Sequence, residues 1–408
     1  MSDNKKFTRR DFIKNAGLTG AASLLALSTG LTKNPFAQDA DVKSEVIKVP
    51  TRIFGNTKVP VSILSMGGMY DIAQNQILLK RALDWGVNYW DTADCYEEGS
   101  EKGIGMYFEK YPESRKKVFL VTKSDEKSDH AGITNLLNRS LEKMKTDYID
   151  LYFLHGINSP DVLTPELKVW VDKTKKEGKI KFFGFSTHRN MENCLLGASK
   201  LGWIDGIMMT YNYRLMHSDK MKEAVEACNK AGIGLTAMKT QGGGSVSAGS
   251  ENELEMGGKF IQKGFTEQQA KLKAVWENQS ISSICSMMNS LIIMAANVAA
   301  AVDKTKLETA DLDLLKTYAE DTCGGYCAGC SDICDQAMGK ESRIADIMRY
   351  MMYYNSYGDA KLARQQYALL PDDIKREIAQ MNYSSAERVC PQKINISRIM
   401  QEASQTLA

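Results

Sequence analysis

From about Thr51 onward, short apolar runs alternate with longer stretches in which apolar residues recur every three or four positions. The short runs read as buried strands and the longer stretches as amphipathic helices. Eight runs qualify as strands: 59–66, 87–91, 118–123, 149–155, 179–186, 206–211, 232–239 and 281–288. Helical patterns fill 74–85, 131–145, 165–177 and 219–231 between them. Gly86, Gly178 and Gly232 stand where a helix gives way to a strand, the place at which a left-handed residue closes a helix. Strand and helix alternating eight times over about 250 residues predict a TIM (β/α)8 barrel over 50–310. The rival on pattern is a doubly wound open sheet, which normally carries G-x-G-x-x-G after its first strand. No such run is present.

The text changes after about residue 311. Helical patterns at 342–354, 361–369, 373–379 and 397–403 follow a dense group of cysteines, so 311–408 reads as a C-terminal helical extension packed on the barrel.

Composition narrows the function classes. A chain of 408 residues with 43% hydrophobic and 25% charged residues is ordinary for a globular protein. A net charge of +2, with no basic stripe interleaved with aromatics, gives no nucleic-acid footprint. No apolar run in the body is long enough for a stable membrane span. A small-molecule substrate is the partner that remains.

Four polar residues stand at or just after strand ends, where a TIM barrel carries its chemistry. Asp91 closes the second strand in Asn88-Tyr89-Trp90-Asp91, and Tyr96 lies on the loop beyond it. Lys123 closes the third strand and His155 the fourth. A free phenol, with pKa about 10, is a poor acid at neutral pH. The Lys123 ammonium is expected to lower the pKa of Tyr96, with Asp91 holding Lys123 charged and oriented. His155 is expected to hydrogen-bond a substrate carbonyl and steady the developing alkoxide.

The run from Gly86 to Tyr96, followed by Gly99-Ser100-Glu101-Lys102-Gly103-Ile104-Gly105, resembles the most diagnostic stretch of the aldo/keto reductases. Thr122-Lys123, Asp150 to His155, Gly184-Phe185-Ser186 and Tyr211-Asn212 resemble later motifs of that family in the same order. The resemblance covers about 51–302. It implies Asp91, Tyr96, Lys123 and His155 as catalytic tetrad, NADP or NAD as cofactor, and a carbonyl or sugar-like substrate. It also implies a cofactor lane along Ser186, Thr187, Met208, Tyr211, Lys239, Ser286 and Asn297. Here Thr187-His188 follow Ser186 where the family has Asn, and Met208 stands where it has Gln. Gln241-Gly242-Gly243-Gly244 after the seventh strand reads either as a pyrophosphate loop or as plain flexibility, and 245–264 as part of a substrate lid. The alternative function is a non-catalytic cofactor-binding, regulatory or electron-transfer protein on this scaffold.

Five of the nine cysteines fall in the extension, as Cys323-x3-Cys327-x2-Cys330-x3-Cys334 and a distant Cys390-Pro391. A tight run plus a remote Cys-Pro resembles a ferredoxin-type 4Fe-4S site, with Cys327, Cys330, Cys334 and Cys390 as ligands and Cys323 as substitute. Zinc and disulfides are the alternatives. The spacing also matches a radical-SAM motif, but that motif follows a first strand and this one follows the eighth. A redox partner goes with the iron–sulfur reading.

Residues 1–40 resemble an export signal: Arg9-Arg10-Asp11-Phe12-Ile13-Lys14, then a weakly apolar run and small residues near Ala37. Paired arginines point to the twin-arginine machinery and to a periplasmic or other extracytoplasmic location.

Overall fold

The computed structural model describes residues 48–96, 99–246 and 251–408. The twin-arginine signal expected over residues 1–40 lies outside the described residues.

The described residues begin with an antiparallel hairpin, β1 (Thr51–Ile53) and β2 (Pro60–Ser62), and then enter eight parallel strands. These are β3 (Leu64–Gly67), β4 (Tyr89–Asp91), β5 (Phe119–Ser124), β6 (Ile149–Leu154), β7 (Ile180–Thr187), β8 (Gly206–Thr210), β9 (Gly234–Met238) and β10 (Ile281–Met287). They close in the order β10-β3-β4-β5-β6-β7-β8-β9, so the (β/α)8 reading holds. The expected strand 59–66 is two strands. Residues up to Ser62 pair with β1, while Leu64 onward pairs with β4 and β10, so the chain changes partners at Ile63 without a break in its apolar pattern.

Barrel helices begin where side chains satisfy the first free N–H groups. Asp129, Thr164 and Ser218 accept from Ala131, Leu167 and Met221. They end before Gly86, Gly178 and Gly232, all at positive φ. Gly232 has a second constraint, since a Cβ there would strike the Asn56 side chain.

Inward-facing Phe54, Tyr89, Phe119, Val121, Leu151, Phe153 and Met208 fill the barrel. Phe54, carried by the hairpin, plugs the floor with its ring 5.5 Å from Phe119 and 6.2 Å from Tyr89. With the floor closed, polar groups at the strand C-termini look out of one end only.

The expected boundary at 311 falls inside the helix Thr309–Asp321. That helix shares a core with the barrel side through Tyr213, Phe260, Phe265, Leu315 and Tyr318. The segment 251–262, expected as lid text, is also a helix of this layer. A separate helical core begins at Cys334 and gathers Ile347, Met351, Tyr367, Tyr383, Ile399 and Met400. Among the described residues no helix is long and apolar enough to cross a membrane.

Candidate active site

Parallel pairing of β4, β5 and β6 carries Asp91, Lys123 and His155 to one rim. Lys123 Nζ donates to Asp91 Oδ2 (2.8 Å), to the Thr92 carbonyl (2.7 Å) and to Tyr96 Oη (3.2 Å). It also lies 2.8 Å from Asp91 Oδ1. Backbone N–H of His155 donates to the Ser124 carbonyl (2.8 Å), and its ring meets Tyr96 edge-on at 5.8 Å between centroids. All four members of the expected tetrad therefore converge.

Their electrostatics differ from expectation in one respect. Burial pushes the Tyr96 phenol well above its ordinary value, and negative charge on Asp91 adds to the effect. The expected lowering by Lys123 does not prevail against burial, and Asp91 beside the ammonium adds to the rise. Tyr96 is thus a firmly protonated donor. Burial, reinforced by Lys123 and Lys127, drives His155 well below its usual value and keeps the imidazole neutral.

The expected cofactor lane is less uniform. Ser186 Oγ accepts from Gly156 N–H (3.0 Å), and Thr187 Oγ1 donates to the Arg189 carbonyl (2.8 Å), so both hydroxyls shape loops. Met208 is part of the apolar barrel filling. Tyr211 does not face the mouth. Strand alternation turns it outward with Ile207 and Met209, and its hydroxyl accepts from Asn278 Nδ2 (2.8 Å). Asn297 Nδ2 donates to Ser286 Oγ (3.0 Å), so that pair does meet. Lys239, at φ 56°, turns its ammonium to Tyr353 Oη (3.2 Å) and lies over the Tyr353 and Tyr357 rings.

Tyr353 belongs to the helix Ile344–Asn355, and the extension covers the rim of β7–β9. Ser245 Oγ donates to the Met348 carbonyl, Asn355 to the Ser245 carbonyl, and Ser356 to the Gly244 carbonyl. Asn212 donates to Tyr326 Oη, and Arg189 pairs with Asp346 at 2.7 Å. A Cβ on Gly244 would collide with the Gly325 carbonyl, which settles the Gly-rich run as a close-packing surface for the extension. The gap left among His188, Thr210, Lys239, Tyr326 and Arg349 is about 30 Å³, room for roughly two waters. With the extension docked, this gap is too small for a nicotinamide dinucleotide, and Ser286 and Asn297 of the expected lane do not line it.

Arg349 and Tyr353 are the site residues that sequence reasoning missed. Both lie more than 150 residues beyond the tetrad, on a helix whose pattern reads only as amphipathic. Cys285 was missed as well. Its thiol adjoins Asp91, and burial there pushes it well above its ordinary value. Its place on an inward strand position was the available signal.

All nine cysteines are free thiols in this structure. The helix Ser331–Met338 packs on Ser384–Val389 and carries Cys334 toward Cys390. Burial pushes the Cys330 thiol to about 11 and Cys334 to about 12, and each also feels Cys390. Cys327 is driven up by burial and by Cys330, Cys334 and Cys390. Among the described residues no three tail sulfurs lie within 4.8 Å of one another, whereas a zinc site of four thiolates, with Zn–S of about 2.3 Å, needs closer spacing.

The family model described as "Aldo/keto reductase family" matches residues 65–303. An aldo-keto reductase of Fusarium vanettenii is 28% identical, covering 46% of this chain and 63% of the relative. The aldo-keto reductase yakc [NADP(+)] of Schizosaccharomyces pombe is 28% identical, covering 49% and 64%. The chain thus spans under two thirds of these curated relatives. The aldo-keto reductase AKR11C1 of Bacillus halodurans, solved in holo form, superposes with a TM-score of 0.53 at 23% identity, covering 66% of this chain and 96% of the other. That likeness shows the barrel fold.

Proposed function

The chain belongs to the aldo/keto reductase family, and from that premise we propose that it interconverts a carbonyl and an alcohol with NADPH or NADH, Tyr96 supplying the proton. The observation that carries the proposal is the chain Asp91–Lys123–Tyr96, with 2.8 Å and 3.2 Å contacts beside a neutral His155.

The nicotinamide supplies hydride when bound, and the protein supplies the proton. Lys123 donates to Tyr96 Oη, so the phenol oxygen is already a hydrogen-bond acceptor and its own O–H is left to donate to a substrate. As charge grows on a substrate oxygen, Tyr96 gives up its proton. The Lys123 ammonium then faces the phenolate at hydrogen-bond distance. His155, neutral, donates a hydrogen bond to the same substrate oxygen. Ser186, Thr187, Lys239, Ser286 and Asn297 are the residues proposed to line the cofactor lane, once the extension lifts from it. Met208 and Tyr211 support that lane from the barrel filling and the outer layer. Purified protein mixed with NADPH and a panel of small aldehydes and ketones tests the reading by loss of nicotinamide absorbance.

Cys327, Cys330, Cys334 and Cys390 are the proposed ligands of a 4Fe-4S cluster exchanging electrons with a redox partner. The mutual influence of their thiols supports the grouping. Anaerobic reconstitution should give visible absorbance that bleaches on reduction. Export through the twin-arginine machinery to the periplasm is proposed from residues 1–40 and is read out by cell fractionation. The closed lane favours a second reading, a regulatory protein on a reductase scaffold, which a complete lack of NADPH and NADH binding would support.

A further inference from the structure

Beside the tetrad lies a group of donor atoms that the proton chemistry does not use. Cys95, one residue before Tyr96, places Sγ 3.2 Å from His155 Nδ1. Asp125, two residues past Lys123, places Oδ1 3.9 Å from the same nitrogen. Sulfur, nitrogen and carboxylate oxygen lie within 4.8 Å of one another, and no other such trio occurs among the described residues. We propose that Cys95, Asp125 and His155 bind a divalent cation of the zinc class at the barrel mouth, and that its occupancy shuts the tetrad down.

The geometry suits that ion. Zinc with bonds of about 2.3 Å to sulfur and about 2.0–2.2 Å to nitrogen and oxygen sets tetrahedral ligands roughly 3.3–3.6 Å apart. The two separations to His155 Nδ1, 3.2 and 3.9 Å, straddle that range, and all three ligand atoms lie within 4.8 Å of one another. Thiolate and imidazole select zinc over magnesium or calcium, which prefer oxygen alone. Three protein ligands leave a fourth position open. Entry is from solvent, because Cys95 is exposed and the Asp125 side chain is 64% exposed.

A plain S–H···N hydrogen bond accounts for the contact between Cys95 and His155, but not for the carboxylate beside them. The cation already near Asp125 is Lys127, 3.8 Å from Oδ1 on an exposed loop, and such a pair is weak and displaced at little cost. On binding, a Zn–S bond forms and the S–H bond breaks, with the proton leaving to solvent. The thiol must give up its proton to bind, so affinity rises with pH. His155 is kept neutral and needs no deprotonation.

The bound ion joins the loops that follow β4, β5 and β6 and locks the imidazole. The shutdown half rests on the reductase reading, whereas the binding half does not.

The test titrates folded full-length protein with Zn2+ against a chromophoric chelator and follows iodoacetamide labelling of the Cys95 peptide by mass spectrometry. Zinc held by any other group cancels when the Cys95 site is read as the difference between wild type and Cys95→Ala. Wild type should hold one equivalent more, zinc should slow Cys95 labelling by about tenfold or more, and Asp125→Asn should weaken that protection by about tenfold. Equal stoichiometry together with unprotected Cys95 overturns the site. Zinc should inhibit carbonyl reduction by wild type and not by Cys95→Ala, and equal inhibition of both overturns the shutdown. Should no carbonyl be reduced, the reductase reading fails alone, and labelling still decides the site.

Discussion

Lys123 Nζ lies 2.8 Å from each carboxylate oxygen of Asp91, and both side chains are at most 2% exposed. Such a pair holds itself in place, because removing either partner leaves a buried charge uncompensated. Lys123→Met should therefore destabilise the fold by about 3–5 kcal/mol, while Asp91→Asn with Lys123→Met should cost less than the two single changes summed. Urea denaturation of the three variants measures this.

Tyr96→Phe removes the proton donor and leaves the ring against His155 in place. Carbonyl reduction should fall by about 10²–10⁴ in kcat with unchanged stability. Because burial holds the phenol above its ordinary value, wild-type reduction should show no loss through Tyr96 ionisation up to about pH 10. Steady-state rates of both proteins across pH give the comparison.

Burial depresses both His155 and His188 far below the ordinary histidine value. Below about pH 6.5 the unfolded chain takes up protons at these positions that the folded chain refuses. Stability is thus fully present above about pH 6.5 and falls as pH drops, by up to about 1.4 kcal/mol per pH unit for each histidine. Replacing His188 by Gln should flatten the slope of denaturation midpoint against pH between about 6.5 and 5.

Asp346 pairs with Arg189 of the barrel at 2.7 Å and with Arg349 of its own helix at 3.0 Å. Asp346→Ala leaves these guanidinium groups, and that of Arg343 at 3.6 Å, without this partner and should loosen the extension. Hydrogen exchange should rise in the Ile344–Asn355 helix, and NADPH should bind about tenfold or more tightly if the extension is what closes the lane. Unchanged exchange with unchanged affinity would count against the lid.

Much of the barrel was legible in the chain because its signals are local. Period-two and period-3.6 patterns, glycines at helix ends and polar residues at strand ends each depend on a few neighbouring positions. Asp91, Lys123 and His155 were readable as one site because parallel strands in register deliver successive strand ends to one rim. Tyr211 was not, since a residue at a strand end points in or out according to a register that only pairing fixes.

The sequence by itself determined the eightfold alternation, the tetrad and the cysteine spacing. Tertiary structure alone decided that the extension lies across β7–β9, that Tyr353 takes Lys239, and that Cys95 and Asp125 flank His155. It also decided that burial, not Lys123, governs Tyr96. Desolvation and packing depend on every group that comes near, including those far away in the chain, and no local pattern encodes them.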